Sequence, residues 1–315
     1  MLSTMAVNLY WMGRYIERAD FLSLLLDATA RLSALPATHG GDPTAWSGAL
    51  AVAGAVSSFS EIHDEPTEAA ILQYLGLDPA NPSSIINCID KARSNARAAH
   101  TGMTQEAWEV INTAWHDVQA FSTEELSKTT LSGFTEVVER GVAKFDGRAH
   151  RTMLRDDAYW FLQLGAALER ADNTARLLDV KYHLLLPGDE PVGGRLDHFQ
   201  WSTILRTVSA LGAYYRVYRD AIKPWLVADL LIFDERMPRS LTSCYDTIVE
   251  ALDHLDAGKG GGGPAQDQAG RVRDQLRTGD IETVFASGLH EFLGAFIDDN
   301  GRLASAIAGQ FGFLA

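Results

Sequence analysis

The sequence predicts an all-α fold, a helical bundle built from two tandem copies of one unit and packed with pseudo-two-fold symmetry. Three observations predict it. Leu9–Asp27 returns as Phe161–Asp179: Gly13, Ile16, Glu17, Arg18, Ala19, Asp20, Leu25, Leu26 and Asp27 are matched by Gly165, Leu168, Glu169, Arg170, Ala171, Asp172, Leu177, Leu178 and Asp179. An internal repeat of this kind constrains architecture before any single motif is weighed. In both copies a mostly apolar stripe recurs three and four apart, at Leu9, Met12, Ile16, Ala19, Ser23 and Leu26, then at Phe161, Leu164, Leu168, Ala171, Ala175 and Leu178. That spacing is an amphipathic helix stripe. Finally, no stretch alternates with the period of two that a half-buried strand requires.

In order along the chain, the first helix is expected over residues 3–34. Further helical segments are expected over 45–60, 83–100, 104–121, 131–148, 154–186, 196–222, 239–256, 267–277 and 282–299. The repeat continues through several of them. Trp46, Ser47 and Leu50 match Trp201, Ser202 and Leu205. Leu75, Asp78, Pro82, Ser84, Cys88 and Asp90 match Leu231, Asp234, Pro238, Ser240, Cys244 and Asp246. A fainter match joins Gly141, Phe145 and Gly147 to Gly288, Phe292 and Gly294. Pro82 and Pro238 stand where a first-turn proline would open a helix. Breaks are read at His39–Pro43, at Pro187–Gly194 and at Gly258–Pro264, the last as a mobile surface loop. The units are therefore 1–150 and 151–315, packed as one globular body, each of ordinary domain size.

With 315 residues and 46% hydrophobic content, the chain can bury a large core. A net charge of −14 would repel phosphate backbones, which argues against nucleic-acid binding. Arg14, Glu17, Arg18 and Asp20 interrupt the first apolar stretch, which is therefore no signal peptide. No uncharged apolar run approaches the roughly 18 residues of a membrane span. Two cysteines supply no disulfide framework, and a reduced, cytoplasmic setting is expected, with Cys88 and Cys244 as small buried side chains.

The repeated helix carries the candidate site. Gly13 and Gly165 hold one interior position in both copies, where glycine costs about 1 kcal/mol relative to alanine. Another helix or a ligand is expected to approach the backbone there. Glu17 and Asp20 share a face, and Arg14 lies within reach of Glu17 on the same helix. Glu17 and Arg18 flank the apolar stripe, so they are expected to be partly buried and therefore paired. Two readings stay open. Glu17, Arg18, Glu169 and Arg170 form crossed ion pairs that set the register of two helices. Alternatively they line, with Asp20 and Asp172, a polar cavity for a carboxylate, amine or phosphate. Arg14 becomes Ala166, Asn8 becomes Trp160 and Tyr10 becomes Leu162, so a pocket is better placed around the first helix. Arg93 and Arg97, four apart where the second copy has Val249 and Asp253, form either an anion site or a solvated basic face.

Motifs of established chemistry are absent from the sequence. It has no G-x-x-x-x-G-K-[ST] loop, no H-E-x-x-H and no G-x-S-x-G. No histidine stands three after a glutamate, which argues against a di-metal carboxylate bundle, and no metal site is assigned.

Asn8–Ala19 resembles the opening signature of the bacterial alpha-E family, and Phe161–Gly165 with Leu168–Asp179 is similar to its second signature. Asn81-Pro82-Ser83-Ser84-Ile85 leading to Ala92–Arg97 fits the same pattern. Leu22-Ser23-Leu24 departs from the Thr-Ala-Arg run that appears at Thr174-Ala175-Arg176. The resemblance implies an all-helical protein found beside, or fused to, circularly permuted ATP-grasp proteins. Transglutaminase-like peptidases and the proteasome-like Anbu protein are further implied associates. It thus implies an amide- or peptide-ligation setting, with ATP and Mg expected on the ATP-grasp partner and no cofactor of the chain's own. Three roles follow as expectations. The chain is a helical partner that shapes or presents the acceptor substrate. It is an enzyme transferring an amino-acid or peptide group, with Glu17 or Glu169 as acid/base. Or it is a scaffold.

Overall fold

The computed structural model describes residues 3–34, 45–123, 125–184, 195–256 and 262–313. Among them the regular structure is fifteen α-helices and one 3-10 turn at His100–Gly102, with no strand. The breaks read at 39–43, 187–194 and most of 258–264 lie outside the described residues. No described helix is long and apolar enough to cross a membrane.

Two helices form the axis of the molecule, α1 (Ser3–Ser33) and α8 (Asp157–Leu184). They pack on each other more extensively than any other pair. The expected single stripe is too narrow for α1. Leu9, Tyr10, Met12, Ile16, Phe21, Leu22, Leu25 and Leu26 are all buried, on several faces. A helix buried nearly all round is a central one. Here α2 (Ala45–Val52), α5 (Ile85–Ala98), α7 (Lys128–Thr152) and α9 (Arg195–Thr207) also pack on it.

The paired glycines have the role their spacing implies. A Cβ on Gly13 would collide with the Leu162 carbonyl oxygen, and one on Gly165 with the Tyr10 carbonyl oxygen. The two backbones touch where each helix lacks a side chain.

The shell is shorter-stepped than periodicity alone implies. The segment 45–60 divides into α2 and α3 (Val56–Ser60), 196–222 into α9 and α10 (Leu211–Tyr218), and 282–299 into α14 (Ile281–Ser287) and α15 (Leu289–Phe311). Each division falls at a residue of positive φ: Gly54 at 64°, Ser209 at 53° and Gly288 at 106°. At the first two, the next amide donates five residues back, Ala55 to Leu50 and Ala210 to Leu205. This is a left-handed helix stop that hydrophobic spacing does not register. Two helices have no counterpart in the sequence reading, α4 (Glu68–Gly76) and α11 (Pro224–Ile232). The Thr67 side chain caps α4 by accepting from the Ala70 amide. The remaining helices are α6 (Gln105–Gln119), α12 (Leu241–Asp256) and α13 (Pro264–Thr278).

Pro82 and Pro238 do not open helices. They sit in turns closed by the Ser84 amide on Asn81 and the Ser240 amide on Met237, and α5 and α12 start three residues past each proline. Cys88 and Cys244 are free and buried, and burial pushes each thiol up to about 12.

Candidate functional site

Four residues beyond each glycine stands a glutamate, so the close crossing carries Glu17 and Glu169 into the space between the helices. Both are almost fully buried. A buried carboxylate is tolerated only when cations and hydrogen bonds replace its water. Each finds two arginines. Arg14 Nε lies 2.7 Å from Glu169 Oε2 and Arg18 Nε 2.6 Å from Oε1. On the other side, Arg170 Nη2 lies 2.6 Å from Glu17 Oε2 and Arg239 Nη1 2.8 Å from Oε1. The expected crossed pairs between Glu17, Arg18, Glu169 and Arg170 are thus present. Burial pushes each glutamate toward protonation. Its arginines outweigh that push, Arg170 and Arg239 at Glu17, Arg18 and Arg14 at Glu169. Both carboxyls are held below their usual range and are ionised at neutral pH.

Arg14 pairs across the crossing and not with Glu17 of its own helix, because both Glu17 oxygens are already taken by Arg170 and Arg239. Its guanidinium rests over the Trp11 ring at 4.8 Å, and its Nη1 donates to the Tyr10 hydroxyl at 3.4 Å. Arg239 also donates from Nη2 to Asp20 Oδ2 at 2.6 Å, and its own carbonyl accepts from the Thr174 hydroxyl. Burial raises the Asp20 carboxyl, against the pull of Arg239.

A cavity of about 370 Å³ opens beside Glu169, walled by Arg14, Arg18, Ser83, Glu169, Asp172 and Arg176 among others. Phe21, Leu22, Val52 and Leu75 form an apolar wall. Arg18 Nη1 donates to Ser83 Oγ at 3.0 Å, and Arg176 Nε to Asp172 Oδ2 at 2.6 Å. Of the residues singled out in the sequence, Arg14, Arg18, Glu169 and Asp172 meet here. Glu17, Asp20 and Arg170 lie behind them in the second ion-pair cluster.

Arg93 and Arg97 belong to neither. Arg93 stacks over Trp115 at 4.1 Å and donates to Asn112 Oδ1, tying α5 to α6, while Arg97 is exposed. The aromatic surface of α6 thus claims the face of the Arg93 guanidinium, and Arg97 stays in solvent. Three contributors were not singled out in the sequence: Ser83, Arg176 and Arg239. Ser83 and Arg239 occupy one repeat position, just after Pro82 and Pro238, and that mismatch was the available signal. Among the described residues no group of histidine, cysteine and carboxylate side chains is placed to hold a metal ion.

Comparison with known proteins agrees with this architecture. Uncharacterized proteins of Mycobacterium bovis and of two Mycobacterium tuberculosis strains are 22–23% identical over 321 residues. The match covers 92% of this chain but 34% of theirs, so the chain spans about a third of the length of these curated relatives. No solved structure matches it significantly. Residues 1–311 match the family described as a predicted alpha-helical domain with a conserved ER motif. Of the chain's four Glu-Arg dipeptides, Glu17-Arg18 and Glu169-Arg170 stand where α1 crosses α8. The chain belongs to the Alpha-E family.

Proposed function

We propose that this protein is the helical partner of an ATP-grasp amide ligase, and that it shapes or presents the acceptor substrate in the cavity beside Glu169. That cavity is the observation that carries the reading. It is small, part polar, and bordered by guanidinium groups anchored on carboxylates, Arg14 and Arg18 on the buried Glu169 and Arg176 on the half-buried Asp172. Such preorganisation suits binding and orientation of a reactant.

An acid/base role for Glu17 or Glu169 has less support. Both oxygens of each are occupied by arginine, and neither carries a proton at neutral pH to donate. The bond-forming chemistry would then rest with the partner, where ATP and Mg activate a carboxylate as an acyl phosphate. The relatives' length supports joint action, since there the matched region is only a part of a longer protein. A transglutaminase-like peptidase and an Anbu-type protein are further partners of the same proposed setting, which we place in the cytoplasm.

The two halves, 1–150 and 151–315, are proposed to be copies of one unit related by a pseudo-two-fold axis. In support, α4 and α11 are both nine residues long, and the helix stops at Gly54 and Ser209 share one hydrogen-bond pattern.

The test is co-purification with the neighbouring ATP-grasp protein, followed by ATP-dependent ligation with and without this chain. Ligation that requires the chain is the expected result. A full rate without it, and no co-purification, would overturn the reading.

A further inference from the structure

We infer that the cavity beside Glu169 is an oxyanion site, which takes the carboxylate or phosphate group of a small ligand on Arg14, Arg18, Arg176 and Asn173. This rests on the proposed role above and names the substrate chemistry it would use. The argument starts from which atoms are already committed. Arg14, Arg18 and Arg176 are each anchored through Nε to a carboxylate. Anchoring at Nε fixes the plane of a guanidinium and leaves its Nη groups to face other partners. The Nη2 atoms of Arg14 and Arg18 and both Nη atoms of Arg176 make no hydrogen bond among the described residues.

Asn173 adds an independent sign. It lines the cavity, is 7% exposed, and its buried amide Nδ2 has no hydrogen-bond partner. A buried donor left unpaired is costly, so a ligand acceptor there would relieve a cost already present. The acceptors, by contrast, are largely spent. Both Glu169 oxygens and Asp172 Oδ2 are held by arginine. Three arginines against two carboxylates leave the wall net positive in a chain of net charge −14. Unspent donors and a positive wall select an anion and reject an amine. Arginine forks also match carboxylate and phosphate geometry.

The repeat positions on the Glu17 side show what the site requires. Arg14 is replaced there by Ala166 and Arg176 by Leu24. Arg239, at the position of Ser83, is committed to Glu17 and Asp20. Arg170 Nε is left without a partner on the Glu17 side, but the three guanidinium groups with uncommitted Nη atoms border the Glu169 cavity. Its apolar wall of Phe21, Leu22, Val52 and Leu75 then fits a short aliphatic portion of the ligand, and the volume limits it to a small molecule or a chain end.

Isothermal titration of the full chain with L-glutamate, inorganic phosphate and, as the cationic control, putrescine tests this. Saturable binding of glutamate, of phosphate or of both, with none of putrescine, is expected, and the preferred anion identifies the source. Arg176→Ala is expected to weaken that binding at least tenfold, while Arg277→Ala, at a surface pair with Asp246, leaves it unchanged. Should Arg176→Ala melt early, Ser83→Arg decides the matter, because its long side chain enters the cavity from another element and is expected to abolish binding. Absence of binding by both anions, equal binding of putrescine, or binding indifferent to these variants overturns the site. Ligation that depends on this chain while neither anion binds would remove the site and keep the partner role. Anion binding without any effect on ligation would do the reverse.

Discussion

Glu169 and Glu17 stand at matched places on two crossing helices, and each is neutralised by two arginines, yet the second arginine comes from a different place in each case. For Glu169 both cations lie on α1, Arg14 and Arg18. For Glu17 one lies on α8, Arg170, and the other is Arg239, from the turn before α12. The chain keeps the number of cations and changes their origin. Where the helix supplies both, the turn position is free to be Ser83, and space opens beside the carboxylate. Where the turn supplies one, the helix position is Ala166, pressed against Gly13, and Arg239 is drawn into a closed network with Asp20. A structural requirement met in two ways thus yields one filled side and one receptive side.

The largest expected effect comes from removing either glutamate. Glu169→Ala or Glu17→Ala strands two guanidinium groups in a buried place, at a cost of about 3–5 kcal/mol if the helices do not relax. Urea denaturation of both variants measures it. Similar losses in the two, with anion binding impaired only by Glu169→Ala at a concentration that keeps the chain folded, would sharpen the comparison. A neutral result for either would break it, since the network would then be solvated.

Next come the glycines at the crossing. Gly165→Ala and Gly13→Ala each place a methyl group against a backbone carbonyl that cannot swing aside. Overpacking of this kind costs about 1–3 kcal/mol. Gly147→Ala, on α7 with nothing within 4 Å of the added methyl, is expected to gain up to about 1 kcal/mol by helix propensity. Opposite signs in thermal melts would separate close approach from propensity. Equal small gains at all three would mean that the axial helices are not in backbone contact.

These glycines also mark how much was legible beforehand. The all-α class followed from the three- and four-residue spacing of apolar positions, and the pairing of α1 with α8 from the glycine and Glu-Arg dipeptide that both helices carry; the crossed pairs were one of two open readings of those charges. The short helices α4 and α11 escaped, being mostly apolar runs too brief to display a period. The splits at Gly54, Ser209 and Gly288 depend on single residues taking positive φ, and Ser209 carries no sequence mark of that. At the site, Arg14's partner was misplaced because helical spacing registers only neighbours on the same helix. Arg239 was missed because its role depends on a fold that brings residues 17 and 239 together.

An effect of comparable size tests the exchange of arginines directly. Arg14→Ala leaves Glu169 with Arg18 alone and removes one charged hydrogen bond, worth about 1.5–3 kcal/mol. Ser83→Arg on that background restores a second cation from the turn, the arrangement Glu17 already uses. Recovery of half or more of the lost stability in chemical denaturation is expected, with the cavity filled and anion binding absent. No recovery would show that the turn at Asn81–Ser84 cannot deliver a side chain to Glu169, and the two sides would then not be interchangeable.

The smallest effect concerns Asp20, where the direction of titration distinguishes the carboxylates. Glu17 and Glu169 are held below their ordinary value of 4.5, so their contribution to stability is present above that pH and is lost as pH falls through the lower folded values. Asp20 behaves oppositely. Burial raises its carboxyl above 3.8, Arg239 and Arg170 pull against that shift, and the Glu17 charge adds to it. Its ionised form therefore costs stability at neutral pH, and protonation relieves the cost as pH falls toward 3.8. Asp20→Asn keeps an acceptor for Arg239 without the charge, so stability at neutral pH should change by less than about 1 kcal/mol, in keeping with neutral replacement of buried charge. Below pH 3.8 variant and parent should converge, while both still lose the contributions of Glu17 and Glu169. Melting curves from neutral pH down to pH 3 would read this out. A loss above about 2 kcal/mol at neutral pH would mean that Arg239 needs two ionised carboxylates. The closed side would then be held by charge balance, not by the single pair with Glu17.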